Sequence, residues 1–192
     1  MPVSRRRLLR VGAALSLAGL AALLPGTAVE ADSPRPPLPD SVAQALGMLA
    51  DLGFDDVVGV YRTLLPSIEI QPPNVLTSGG LTEWWSTSPA MSASISLRAD
   101  LQGSPPTFAA IVAHELLHVW QFAYYPEAYG SCLEREVPAY RLEAAVLSAW
   151  ATANPLERYG LPVFSMELMS VVEQNYPVDL ETFASQSSCG SR

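Results

Sequence analysis

The stretch from Ser104 to Pro126 constrains this fold more than any other. It opens Ser104-Pro105-Pro106, continues as a nearly unbroken apolar series, and closes at Pro126. Serine is a favoured helix N-cap, and proline in the first turn costs little because that N–H has no intrahelical partner. Pro126 cannot continue a helix. A helix is therefore expected from this cap to about Tyr125. Phe108, Ile111, Val112, Leu116 and Val119 would bury it on most of its sides. The chain's only two histidines, His114 and His118, lie on it four residues apart. Four residues is just over one turn, so both imidazoles leave the same face.

Two imidazoles so placed can grip one metal ion, and Glu115 stands beside them, able to take a proton from an activated water. His114-Glu115-Leu116-Leu117-His118 is the HExxH pattern of zinc metallohydrolases. A catalytic zinc takes three protein ligands and keeps a fourth position for water. The third ligand cannot be histidine, because none remains. That excludes the metzincin extension, in whose Gly and His positions stand Gln121 and Tyr124. The candidates are downstream carboxylates: Glu127, Glu134, Glu136, Glu143 and Glu157.

Downstream, Glu136-Val137-Pro138-Ala139 fits the ExxA pattern of the gluzincins. The chain from Val112 to Glu143 resembles single-domain, gluzincin-like bacterial metallopeptidases that read AHELxHvxQ and then ExExxAY. Residues 113–121 supply the first half and residues 134–140 the second. The resemblance implies an α+β, zincin-like fold, mostly helical with a small sheet, in which the HExxH helix packs on a second, ligand-bearing helix. It implies His114, His118 and Glu136 as zinc ligands, Glu115 as general base, and peptide or protein as substrate. Glu134 is the reserve ligand. Pro138 departs from the pattern, since proline in a helix interior kinks the helix or forces it to start nearby. Tyr140, one turn past Glu136, can help stabilise an oxyanion, as can Tyr124 or Tyr125; packing is the commoner role for each. Residues 94–97 stand where related zincins place an edge strand that pairs with substrate, although an ordinary internal strand explains them equally well. Two further readings stay open. One is a catalytically silent zincin-fold binding or structural protein, against which an intact Glu115 argues. The other is a zinc hydrolase with a non-peptide substrate.

The rest of the chain supplies context. Arg5, Arg6, Arg7 and Arg10 precede a small-residue apolar run at 11–24, too short to span a bilayer comfortably. Residues 1–31 thus read as an export signal of twin-arginine type, with cleavage after Ala31. Residues 32–39 form a proline-rich lead-in and residues 40–192 a single domain. After such cleavage the chain carries seven arginines, no lysine and eighteen acidic residues, a formal charge of −11. That charge repels phosphate backbones and anionic lipid, so neither nucleic acid nor a stable membrane partner is expected unless the signal is retained. Two cysteines in an oxidising compartment, Cys132 and Cys189, are expected to bridge.

Residues 40–52 read as a first helix capped by Asp40 or Ser41, and residues 57–65 are ambiguous between helix and strand. Ile68 and Ile70 alternate as in a half-buried strand, and residues 92–100 do the same around Ile95 and Leu97. Residues 77–89 read as a loop whose Trp84 and Trp85 either line a cleft or, more commonly, pack over the core. Further helices are expected over residues 136–153 and 162–175.

Overall fold

A computed structural model of the chain describes residues 37–87, 90–127, 130–175 and 178–189. The export signal and most of the proline-rich lead-in lie outside the described residues. Among those described, no helix is long and apolar enough to cross a membrane. The architecture is α+β, mostly helical with one three-stranded sheet.

Helix α1 (Asp40–Asp51) buries Val42, Ala45, Leu46 and Leu49, the i, i+3, i+4, i+7 stripe of an amphipathic helix. Asp40 is its first residue and Pro39 its cap, so neither Asp40 nor Ser41 caps it by side chain. Gly53, at φ 86°, turns the chain in the left-handed region that glycine enters without strain. The ambiguous segment is helical: α2 (Asp55–Leu64) buries Val57, Val58 and Val60 against the core.

Strand β1 (Ser67–Gln71) forms where Ile68 and Ile70 alternate. Residues 77–89, expected to be a loop, contain a strand instead, β2 (Gly80–Thr87), which pairs antiparallel with β3 (Ala90–Arg98). Thr82, Trp84 and Trp85 suit an extended backbone, and pairing with β3 decides what local glycine and serine content obscured. The sheet order is β1-β3-β2, with β1 and β3 parallel. Strand β3 is therefore internal, and residues 94–97 are not an edge. The exposed edge next to the functional residues belongs to β2. Thr82 pairs with Ile95 and Gly80 with Leu97, so Gly80, Thr82 and Trp84 share the sheet face that carries the buried Ile95 and Leu97.

Helix α3 (Pro105–Tyr124) is the central element, packed against α1, α2, β2, β3 and the helix that follows. Ser104 precedes it as expected, but its hydroxyl donates to Thr107 Oγ1 (2.9 Å) instead of capping a backbone N–H. Helix α4 (Cys132–Ala153) starts four residues earlier than expected. The cause is a reciprocal capping box: Ser131 Oγ accepts from Glu134 N (3.2 Å), and Glu134 Oε2 accepts from Ser131 N (2.8 Å). With its N-terminus so fixed, α4 runs through Pro138. Helix α5 (Val163–Asn175) matches its expectation, and α6 (Val178–Ala184) and a π-helical turn at Ser185–Cys189 are the last of the described elements. A disulfide joins Cys132, the first residue of α4, to Cys189, their Cα atoms 5.8 Å apart. Closing a loop with a sequence separation of 57 restricts the unfolded chain, a contribution of about 4 kcal/mol on the chain-entropy estimate.

Candidate metal centre

Three helical side chains converge. Helices α3 and α4 pack against each other, and each carries fully buried alanines, Ala113 on one and Ala139 and Ala144 on the other. His114 Nε2 and His118 Nε2 lie 3.1 Å apart. Glu136 Oε2 is 3.3 Å from His114 Nε2, and Glu136 Oε1 is 3.6 Å from His118 Nε2. Bonds of about 2.0–2.1 Å around a tetrahedral ion put ligand atoms roughly 3.3–3.4 Å apart. The three separations bracket that edge length, so this buried His–His–Glu group fits a metal ion.

Each histidine is also gripped from behind. His114 Nδ1 lies 3.1 Å from Glu143 Oε2, and Glu143 is itself buried. His118 Nδ1 lies 2.8 Å from Oε1 of the buried Gln121. The Tyr140 ring meets the His114 ring edge to face, with centroids 4.8 Å apart. Its hydroxyl is 2.6 Å from Ser188 Oγ, so the visible role of Tyr140 is to pack His114 and tie in the disulfide-bound turn. Tyr124 and Tyr125 are exposed and pack on Trp120, away from the histidines.

Glu115 occupies the sheet side of the centre. Thr82 Oγ1 donates to Glu115 Oε2 (2.7 Å), and the buried carboxylate runs beneath β2. Gly80 makes room for it: a Cβ there would lie 2.7 Å from both Glu115 Cγ and Cδ. Beyond Thr82 on the same strand face, Trp84 stacks on Phe122 with centroids 5.1 Å apart, and Phe122 leans towards His118. Trp84 and Trp85 remain 37% and 46% exposed, and Trp84 has one face covered by Phe122.

The charges follow from this crowding. Burial pushes His114 down, but hydrogen bonds to Glu136 and Glu143 and the nearby charge of Glu115 outweigh it, and the imidazole is pushed up to about 10. Burial works to raise Glu136, yet its bonds with both histidines hold it well below the usual carboxylate range. For Glu143 burial wins over His114, and its carboxyl is raised. Burial likewise raises Tyr140 against the pull of Ser188. The proton held by His114 must therefore compete with a cation for that imidazole.

Of the carboxylates considered from sequence, Glu136 meets both histidines. Glu143 meets only the outer nitrogen of His114, and Glu134 is spent in the exposed capping box. The sequence reading missed the supporting roles of Gln121, Thr82 and Gly80. Gln121 had a usable signal, since it lies one turn from His118; Thr82 and Gly80 had none while their segment read as a loop. Comparison with protein-family models, curated proteins and solved structures found no match for this chain.

Proposed function

We propose that the chain is an exported zinc-dependent peptidase of the gluzincin type. The observation that carries this reading is the convergence of His114, His118 and Glu136 at tetrahedral edge distances, with the buried Glu115 carboxylate held alongside. Two imidazoles and one carboxylate are a donor set that suits zinc, and three protein ligands leave a coordination position open. Bound there, the ion supplies Lewis acidity, polarising a carbonyl and acidifying a water.

The chain's residues do the rest. Glu115 removes a proton from the attacking water and passes it to the departing amine. Thr82 holds one carboxylate oxygen by a 2.7 Å bond, and Gly80 leaves room for the other. Tyr140 braces His114 through its ring, with its hydroxyl bonded to Ser188. The outer edge of β2 offers backbone groups to an extended peptide, with the Gly80–Thr82–Trp84 face turned towards the centre. The disulfide suits an oxidising compartment, and with the basic leader it supports export.

The test is hydrolysis of a mixed peptide library by the zinc-loaded chain, read by mass spectrometry. Chelation should stop cleavage and zinc should restore it. Glu115→Gln should bind zinc normally yet lose about 10²–10⁴ in rate. Cleavage that survives chelation sinks the zinc mechanism. A zinc-loaded wild-type chain as inert as Glu115→Gln points to a silent binding protein instead.

A further inference from the structure

Gln121 is only 1% exposed and lies one turn beyond His118 on α3. Its amide touches two elements at once. Oε1 lies 2.8 Å from His118 Nδ1, and Nε2 donates to the backbone carbonyl of Arg135 on α4 at 3.2 Å. The second contact determines the first. A carbonyl oxygen can only accept, so the amide must turn its NH₂ to Arg135 and its oxygen to His118. An oxygen opposite Nδ1 requires a hydrogen on that nitrogen. Neutral His118 therefore carries its proton on Nδ1 and its free lone pair on Nε2, the atom that faces His114 and Glu136.

We infer that Gln121 is the positioning residue of the centre: it sets the tautomer of His118 and ties the HExxH helix to the turn of α4 that carries Glu136. This rests on reading His118 and Glu136 as metal ligands. Arg135 immediately precedes Glu136, so one side chain spans from behind the second ligand to the backbone beside the third.

The two histidines are backed differently: His114 by a carboxylate, His118 by a neutral amide. Glu115, Glu136 and Glu143 already bring three carboxyl groups to the centre. A neutral acceptor at position 121 orients His118 without adding a fourth, which would damp the Lewis acidity of a bound cation.

The experiment uses the full chain labelled with nitrogen-15. Its only two imidazoles give a simple long-range proton–nitrogen spectrum, recorded metal-free at a pH where His118 is neutral. Zinc affinity is measured separately by competition with a chromogenic chelator. His118 should show the Nδ1–H form in the wild type. Gln121→Ala should mix the tautomers and weaken zinc about 10–100-fold. Gln121→Glu keeps an acceptor for His118 but cannot donate to Arg135, so the Nδ1–H form should persist while affinity stays below that of the wild type. An Nε2–H form in the wild type overturns the inference. So does an unchanged tautomer, or zinc affinity within about threefold of wild type, in Gln121→Ala. Should the alanine variant fail to fold, a loss of the Nδ1–H form in Gln121→Glu has the same force. A wild-type chain that takes up no zinc defeats the peptidase reading, while the tautomer still tests Gln121.

Discussion

The two walls of the centre are held by different means. On the helical wall, each histidine has a buried partner behind it, and Glu136 crosses from a neighbouring helix. On the sheet wall, Glu115 depends on one hydroxyl and one glycine of β2, a strand at the edge of a three-stranded sheet. That strand exposes Leu81, Trp84 and Trp85. Buried hydrogen-bonded packing opens rarely, whereas edge elements with few buried contacts open at lower cost. The contrast teaches that the proposed ligands are fixed by the core, while Glu115 is aimed by an edge strand.

Mutations that strike one wall and spare the other should give opposite signatures. The largest effect belongs to the helical wall. His118→Ala removes a direct ligand, so it should weaken zinc by more than the roughly 100-fold typical of losing a supporting partner, and should end hydrolysis as well. Metal analysis of the purified variant is the check; full zinc occupancy defeats the ligand assignment. On the sheet wall, Gly80→Ala drives a methyl group into Glu115, whose Cγ and Cδ would lie 2.7 Å from it. Displacing a catalytic group by about an ångström can cost on the order of 100-fold. The expected outcome is a fall in kcat of that size at unchanged zinc affinity. Equal loss of both would mean that the walls are not separable.

The same division governs what could be read from sequence. Helical periodicity placed His114 and His118 on one face, and the proline-bounded run became α3 nearly as expected. Glu136 was accessible because it opens an ExxA pattern, whose alanine, Ala139, is fully buried. Glu143 lay on the same helix face and was weighed as a ligand, but whether a carboxylate meets the inner or outer nitrogen of a histidine depends on ångström-scale docking. The start of α4 is legible as Ser131-x-x-Glu134, a capping-box pattern that lies ahead of the expected start at residue 136. The sheet wall was hidden for a deeper reason. Strand β2 is fixed by pairing with the strand that directly follows it, β3, and the glycine and serine content of residues 77–89 masks the extended preference of Thr82, Trp84 and Trp85. Mistaking that strand for a loop also misplaced the edge of the sheet and hid Thr82 and Gly80.

A smaller effect comes from protons. In the metal-free chain His114 is pushed up to about 10, so at neutral pH it holds a proton that a metal must displace. Glu136 is held far below the usual range and releases none. Loss of one proton on binding makes zinc affinity rise about tenfold per pH unit below that value, and fall by the same factor as pH drops. Titration calorimetry in buffers of different ionisation enthalpy should report the released proton. An affinity independent of pH through the neutral range removes His114 from the ligand set.

The smallest effect probes the outermost part of the sheet wall. Trp84 stacks on Phe122 at 5.1 Å and 18° between planes, and Phe122 leads on to His118 at 6.4 Å. An aromatic pair of this kind contributes about 1 kcal/mol. Trp84→Ala should therefore cost about that much stability in thermal denaturation and leave zinc affinity intact. If extended peptides lie along β2, KM should rise about fivefold while kcat holds, because the ring borders the strand and does not touch Glu115. A drop in zinc affinity would show that the Trp84–Phe122 stack braces His118 as well. The metal would then depend on the edge strand, and the core could not be credited alone with fixing its geometry.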